Sequence, residues 1–328
     1  GFDKIPLKKI INVEDKTQIL SSSIKTYHKI KKIIATEGYS EVVTWSFMDG
    51  NKAKLLFDNL ISLQNPISSD LNTMRPSTIP NLLEAINQNK ARMYTRAKIF
   101  EVGPNFSKSL SDFQENVASA ITYGSIDEEN WLSNKKNTNV YNLKADLFSV
   151  LTILNVPIDN LLYDKNEDNI YHPGKSATLR LGKNIIAKFG ELHPILLKTM
   201  DINIKVYGFE IYLDNISQFQ ENKSFSRDSF LNNPYQMVER DFAFLFPKEI
   251  KANEIIKKVK KIDKNIINKV TIFDVYEGDK LPDNNKKSIA IRVLLQPQDK
   301  TFKDEDIENL SKAIIDKISK SFAASIRQ

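Results

Sequence analysis

The feature that most constrains the fold is a repeated change of hydrophobic period within residues 235–328. Segments whose apolar residues recur at every second position, as in a strand, alternate with segments whose apolar residues recur every three or four positions, as in a helix. Strands are predicted at 238–246, 270–276, 288–295 and 322–326, and helices around 255–262 and 307–318. This order, βαββαβ, is typical of the ferredoxin-like fold, in which two helices cover one face of a four-stranded sheet and leave the other face open.

The third of these predicted strands separates apolar from other side chains cleanly. Every second residue is apolar and is expected to face the helices: Ile289, Ile291, Val293 and Leu295. The intervening residues Ser288, Ala290 and Arg292 are therefore expected on the open face of the sheet.

The preceding predicted strand is less regular. Asp274 and Tyr276 share one face, while Phe273 and Val275 share the opposite one, yet the apolar residue Ile272 has the parity of Asp274. A tyrosine, an aspartate, a serine and an arginine on one open sheet face can stack on and hydrogen-bond unpaired nucleobases. The same pattern also fits an ordinary solvated sheet face, so the residues alone leave both interpretations open.

Residues 21–214 predict a larger domain of mixed helices and strands. Helices are expected around 24–34, ending at Gly38, around 82–86 after Pro80, and at 143–154. Strands are expected at 42–47, 98–102, 176–181, 185–189 and 206–213, with residues 182–184 as a hairpin turn. The segments 1–20 and 215–234 are predicted linkers. The fold class is therefore α+β, with domains at 21–214 and 235–328.

Several chemistries lack the residues that they need. The sequence has no Cys, which excludes disulfides, thiolate metal sites and cysteine nucleophiles. His172 and His193 each precede a proline and are expected in turns, and no spacing of His and carboxylates predicts a metal site. No apolar run approaches the ~20 residues that cross a bilayer. The net charge is +6, which suits a polyanionic partner but also an ordinary solvated surface.

Seven short motifs, in order along the chain, resemble one known family. The C-terminal ones are Phe-Asp-Val-Tyr-Glu-Gly at 273–278, Leu-Pro at 281–282 with Lys-Ser at 287–288, and Glu-Arg-Asp-Phe-Ala-Phe at 239–244. Upstream motifs lie at 65–70 with Met-Arg at 74–75, and at 99–103, 172–177 and 190–194. Together they resemble the C-terminal half of the phenylalanyl-tRNA synthetase β-subunit of the bacterial type, and residues 1–6 resemble the junction after that family's preceding domain.

The resemblance implies a fold and a set of partners. Residues 21–214 are expected to form a non-catalytic, class II synthetase-like mixed or antiparallel sheet with flanking helices, and residues 235–328 a ferredoxin-like anticodon-binding domain. The implied partners are phenylalanine tRNA and the catalytic α-subunit, in an (αβ)₂ heterotetramer in the cytoplasm, away from membranes. ATP and Mg²⁺ are expected to act in the holoenzyme, with no cofactor, metal or catalytic residue in this chain.

The resemblance also implies particular anticodon contacts. In the family the contacts correspond to Asp274, Tyr276 and Ser288 of this sequence. Tyr276 is expected to stack on a base, Asp274 to accept a hydrogen bond from a base, and Ser288 to donate or accept one. Ala243 is expected to let a base approach. Arg292, which shares the face of Ser288, is expected to reach a phosphate; that assignment comes from parity alone.

Two other functions stay open. A single-chain synthetase of the organellar kind also ends in such an anticodon domain, although class II catalysis uses an Arg-x-Glu triplet that does not occur in this sequence. A non-catalytic scaffold without specific tRNA binding is the other alternative. Arg75, which precedes Pro76, is expected either to have a structural role or to lie at an inter-subunit surface.

Overall fold

The computed structural model describes residues 2–4, 6, 20–110, 112–127, 130–132, 136–166, 168–216, 233–278, 281, 283 and 285–327. The chain divides into two compact units, Gly1–Phe225 and Ser226–Gln328. Most of the two predicted linkers lies outside the described residues.

The first unit is built on a sheet of seven strands, with a separate two-stranded sheet. The large sheet contains β1 (Ser40–Glu41), β4 (Ala97–Phe106), β5 (Gln114–Tyr123), β6 (Leu162–Asp164), β7 (Tyr171–Leu181), β8 (Asn184–Leu192) and β9 (Val206–Tyr212). Their order is β1-β4-β5-β9-β8-β7-β6, and among the pairs that the described residues form, β1–β4 is parallel and the others are antiparallel. The small sheet pairs β2 (Phe47–Met48) with β3 (Thr73–Met74).

Five helices of this unit begin and end at recognisable signals. They are α1 (Ser22–Thr36), α2 (Gly50–Lys54), α3 (Ile79–Ala91), α4 (Val140–Ile153) and α5 (Pro194–Thr199). Gly38, at φ +84°, takes the left-handed conformation that follows many helix ends, as the sequence predicted for α1. Pro80 lies in the first turn of α3, where its missing N–H costs no intrahelical bond. Helices α1 and α4 pack on one face of the large sheet, and α3 and α5 on the other.

The strand predicted at 42–47 is wrong for most of its length. The Val42 N–H donates to the Phe100 carbonyl at 2.8 Å, and the chain then leaves the large sheet and forms no further strand until β2 of the small sheet. The carbonyl of Trp45 accepts from the Asn81 side chain at 2.9 Å and from Arg75 at 3.3 Å. Because side chains, and not a neighbouring strand, satisfy the Trp45 carbonyl, the middle of this β-branched and aromatic run stays irregular.

Arg75 causes much of this local geometry. Its side chain is 1% exposed and forms a 2.8 Å ion pair with the buried Glu101. The guanidinium also donates to the Thr44 hydroxyl at 2.9 Å and to the Pro104 carbonyl at 3.1 Å. An added Cβ at Gly103 would lie 2.6 Å from this guanidinium, so only glycine leaves the space. Of the two roles considered for Arg75, the structure shows the structural one.

Further polar groups lie in one row across the same sheet. Paired residues of five neighbouring strands contribute Glu101, Ser119, Glu210, Lys188 and Thr178. The Glu210 carboxylate accepts from Ser77 at 2.8 Å and from Tyr171 at 3.3 Å, and Lys188 pairs with Asp168 at 2.8 Å. The charged groups of this row are therefore neutralised or hydrogen-bonded within the chain.

Glu115, four residues before Ser119 on β5, has a raised pKa. Burial raises the pKa of its carboxyl to about 7, and the negative charges of Glu210 and Asp214 add to the shift while Lys188 opposes it. The folded protein therefore holds a proton on Glu115 at pH values where the unfolded chain has lost it.

The second unit has the predicted βαββαβ order. It contains β10 (Val238–Pro247), α6 (Ala252–Lys260), β11 (Ile267–Tyr276), β12 (Lys286–Leu295), α7 (Asp304–Phe322) and β13 (Ser325–Ile326). The sheet order is β11-β12-β10-β13, with all described pairs antiparallel, which confirms the ferredoxin-like arrangement. The last strand is shorter than predicted because α7 continues to Phe322 and Ala323 then turns at φ +49°.

A bulge in β11 explains the irregular parity seen in its sequence. Ile272 pairs with Ile291, whereas the next paired residue, Asp274, lies opposite Ala290, so Phe273 is an extra residue. Ile272, before the bulge, thus faces the helices, and Asp274 and Tyr276, after it, face the open side of the sheet. The expectation that Phe273 shares a face with Val275 is wrong, since the Phe273 ring lies 5.3 Å from the Arg292 guanidinium carbon.

We expect Arg75→Met to lower the free energy of unfolding of the first unit by about 3–5 kcal/mol, because Glu101 is left buried without its cation. Urea unfolding followed by tryptophan fluorescence measures this, since both tryptophans, Trp45 and Trp131, belong to the first unit. The control is Lys52→Met in the exposed pair with Glu84, where the loss should be under about 1 kcal/mol. Equal losses in the two variants would contradict the role given to Arg75.

We expect Glu115→Gln to remove a pH dependence of stability. The raised pKa of Glu115 contributes stability that is complete below the ordinary value of 4.5 and is lost as the pH rises through about 7. The free energy of unfolding of the variant should therefore equal that of the unchanged protein near pH 4.5 and exceed it by about 1–3 kcal/mol at pH 8. Urea unfolding across this range measures the difference, with the exposed Glu84→Gln as control. A difference that stays constant with pH would refute the assignment.

Candidate nucleic-acid interface

The face of the second unit's sheet opposite α6 and α7 carries the predicted site residues. Cross-strand partners share a face, so the register defines its rows. One row pairs Leu245, Ser288 and Tyr276, and the next pairs Ala243, Ala290 and Asp274. A third row joins Asp241, Arg292 and Thr271. The structure thus brings all five predicted residues, Asp274, Tyr276, Ser288, Ala243 and Arg292, onto one face; their contacts with RNA stay a prediction.

Arg327 is a member of this face that the sequence analysis missed. Its backbone N–H donates to the Ala243 carbonyl at 2.7 Å, which extends the pairing of β13 with β10. Its guanidinium donates to the Ser288 hydroxyl at 3.1 Å and lies 5.9 Å from the centre of the Tyr276 ring. The signal was present, because a basic residue directly follows the closing strand, but which neighbour it reaches depends on the sheet order.

Tyr276 is positioned from its other side by Gly278. An added Cβ at Gly278 would lie 2.8 Å from the Tyr276 hydroxyl and 3.0 Å from the adjoining ring carbon. Any larger residue at this position would therefore displace the ring. The phenol is held between a glycine and a guanidinium, while part of the ring stays accessible.

The central row is shallow and lies between larger side chains. Ala243 and Ala290 are half-buried methyl groups, and Asp274 at the end of the row is exposed. Arg327 and Tyr276 rise on one side of these alanines, and Asp241 and Arg292 on the other. A flat apolar floor with hydrogen-bonding groups around it accommodates a planar ring.

Arg292 is not a free cation in this arrangement. Its Nε donates to the Asp241 carboxylate at 2.8 Å and a terminal nitrogen donates to it at 2.7 Å, in a two-pronged pair. The other terminal nitrogen lies 3.7 Å from the Glu239 carboxylate. The hydrogen bonds from Arg292 hold the pKa of Asp241 below its usual value. The guanidinium that was expected to reach a phosphate is thus surrounded by two carboxylates.

The remaining candidate groups of the first unit are structural. Ring nitrogens of His172 and His193 accept backbone hydrogen bonds two residues on, from Gly174 at 3.0 Å and Ile195 at 3.1 Å. The turn positions expected for them are wrong, since His172 lies within β7 and His193 is the N-cap of α5. The tripeptide Gly174-Lys175-Ser176 matches part of a phosphate-binding loop, but it lies inside β7, where Lys175 pairs with Glu191 at 3.1 Å.

Two absences apply to the described part of the chain. It contains no group of three or more His, Cys, Asp or Glu side chains placed to hold a metal ion. Among the same residues, no helix is long and apolar enough to span a membrane.

Comparison with known families divides the chain as the two units do. A family described as "Phenylalanyl tRNA synthetase beta chain CLM domain" matches residues 8–213. A second, described as "Ferredoxin-fold anticodon binding domain", matches residues 233–327. The second match covers the whole βαββαβ sheet, including Arg327.

Curated relatives give the same result. The phenylalanine–tRNA ligase β-subunits of Rhodospirillum rubrum and Rickettsia bellii are 36% and 37% identical to this chain. Each alignment covers the full length of this chain, and it covers 41% and 38% of the two relatives, respectively. The chain thus spans about two fifths of the length of these relatives. Among solved structures, a pyrrolysyl-tRNA synthetase from Desulfitobacterium hafniense aligns over 60% of this chain and 68% of its own, at 16% identity and a TM-score of 0.48.

The family match over residues 8–213 covers more than half of the 328 residues, and the ordered motifs at 65–75, 99–103, 172–177 and 190–194 lie within it. The chain therefore belongs to the phenylalanyl-tRNA synthetase β chain family.

Proposed function

We propose that the open sheet face of the second unit binds the anticodon region of phenylalanine tRNA. The observation that carries this proposal is the convergence of Tyr276, Ser288 and Arg327 beside the floor of Ala243 and Ala290. A half-buried aromatic ring, the hydroxyl of a buried serine and an exposed guanidinium lie around a flat apolar surface here. Aromatic rings, hydroxyls and guanidinium groups are the groups that recognise unpaired bases. The family description of residues 233–327 as anticodon-binding supports it.

Each side chain has a distinct role in this proposal. Tyr276 stacks on one base, and the absence of a side chain at Gly278 leaves the space that its ring occupies. Asp274 has only acceptor oxygens when ionised, so it selects a base that presents an amino or imino hydrogen. Ser288 donates or accepts, and Arg327, already bonded to Ser288, places a positive charge where the RNA backbone passes.

The first unit, in this proposal, docks on a catalytic α-subunit and supports an aminoacylation that α carries out. ATP and Mg²⁺ would then be bound in the holoenzyme, as an (αβ)₂ heterotetramer in the cytoplasm, and not by this chain. Ion pairs on the sheet support a non-catalytic role for this unit, because Arg75 and Lys188 are already paired with carboxylates of the chain. Exposed apolar side chains of this unit, among them Val43, Trp45 and Ile67, are suited to contact another protein.

We expect Tyr276→Ala to weaken binding of phenylalanine tRNA about 5- to 150-fold, because one stacked base contributes ~1–3 kcal/mol. Tyr276→Phe keeps the ring and should retain most of the affinity, which separates stacking from hydrogen bonding. The measurement is the dissociation constant of the whole chain for the tRNA at two salt concentrations. A tRNA with an altered anticodon should bind the unchanged protein more weakly and respond little to Tyr276→Ala.

The opposite result is equally specific. If both tRNAs bind alike, with a steep salt dependence that Tyr276→Ala does not change, the chain offers only a basic surface. The anticodon proposal would then be lost, and a scaffold without specific tRNA binding would replace it.

We expect the chain alone to show no phenylalanine-dependent exchange of pyrophosphate into ATP, because the cations on its sheet are neutralised within the fold and cannot match the charge of a triphosphate. The same assay with a complete ligase, containing the α-subunit, is the positive control. Exchange by the chain alone would instead support the single-chain synthetase.

A further inference from the structure

The geometry of Arg292 differs from that of a side chain that binds phosphate. A phosphate contact uses the N–H groups at the edge of the guanidinium plane. In Arg292 that edge is occupied by both Asp241 oxygens, at 2.8 and 2.7 Å, and Glu239 lies 3.7 Å from the remaining nitrogen. The two acidic neighbours also outweigh its single charge, so a phosphate would meet a net negative group.

The part of Arg292 that stays accessible is therefore its planar surface. Its side chain is 46% exposed although its donors are engaged. The guanidinium carbon lies 5.3 Å from the centre of the Phe273 ring, which is itself 53% exposed. The Asp241 pair holds the guanidinium in a fixed orientation, and the bulge in β11 places the phenyl ring beside it.

We propose that Phe273 and Arg292 form a second stacking platform for an unpaired nucleobase of the same RNA loop. The proposal rests on the anticodon-binding function and adds a subsite to it. Phenyl rings and guanidinium planes both stack on bases in single-stranded RNA recognition. Asp241 acts here as a positioning residue, because it orients Arg292 and occupies the hydrogen-bonding edge that would otherwise attract phosphate.

The spacing of the two platforms fits bases that are splayed apart. Ser288, beside Tyr276, and Arg292, beside Phe273, are four residues apart on β12, which corresponds to about 13 Å along the strand. Consecutive stacked bases are separated by only ~3.4 Å. Two bases taken up at the two platforms are therefore unstacked from each other, and the Ala243–Ala290 floor lies between them.

The test measures binding of the whole chain to phenylalanine tRNA and to tRNAs that each lack one base of the anticodon loop. Arg292→Lys keeps the charge but loses the plane, and Phe273→Leu keeps an apolar side chain but loses the ring. Phe273→Tyr retains a ring as a matched control. Lys312→Gln, on the helix that covers the other face of the sheet, controls for a general change in charge. Circular dichroism verifies that each variant is folded.

The proposal predicts a 5- to 100-fold loss of affinity for Arg292→Lys and for Phe273→Leu at every salt concentration. With one of the tRNAs that lack a base, neither Arg292→Lys nor Phe273→Leu should lower the affinity. A different one of these tRNAs should be the one whose affinity Tyr276→Ala does not change.

Two outcomes would overturn the platform. One is that Arg292→Lys and Phe273→Leu both bind phenylalanine tRNA as tightly as the unchanged protein does. The other is a loss of equal size with every abasic tRNA, which shows no link to any base. If the loss of affinity caused by Tyr276→Ala still depends on one particular base, only the second subsite is disproved. If that loss also depends on no base, the anticodon-binding proposal itself is disproved.

Discussion

The register of β11 against β12 is the constraint on which the candidate interface depends. If Phe273 were paired regularly and did not bulge, it would lie opposite Ala290, and Asp274 would lie opposite Ile289 on the helix side of the sheet. A carboxylate there would be buried among apolar side chains, at a high cost in desolvation. The bulge reverses the parity, so the apolar residues before it fill the core and Asp274 and Tyr276 after it reach the open face. The bulge thus divides β11 into a part whose apolar side chains pack in the core and a part whose polar side chains lie on the open face.

The first unit solves a related problem with buried charge. A row of polar groups crosses a sheet whose two faces are otherwise apolar, and each charged member has a partner from another element. Arg75 binds Glu101 of β4 and also the irregular segment around Thr44 and Trp45. The same interaction therefore neutralises the sheet and fixes a stretch of chain without secondary structure. Side chains paired in this way within the fold are not available to hold a nucleotide, which supports the proposal that a partner subunit carries out the catalysis.

The sequence allowed some of these features to be predicted and not others. Residues with a sustained period, such as those of α4 or β12, were placed correctly, because burial of one face leaves few alternatives. The hairpin at Gly182 was found because its turn has a local signature. The segment 42–47 was misassigned because its backbone partners, Arg75 and Asn81, are distant in sequence. Arg327 was overlooked for the same reason, since its contacts with Ser288 and Tyr276 exist only once β13 lies beside β10.

The two arginines of the open face show why parity alone does not assign a role. Arg292 of β12 and Arg327, which directly follows β13, both project onto the same surface, and both lie beside an aromatic ring. Arg292 is paired with Asp241, so its charge is cancelled and its plane is what remains to bind. Arg327 contacts a neutral hydroxyl and a phenol, and the described residues show no carboxylate paired with it. In the proposed complex its charge is therefore available to the RNA backbone. Arg327 would then supply the salt-dependent attraction, and Tyr276 and the Phe273–Arg292 platform would recognise individual bases.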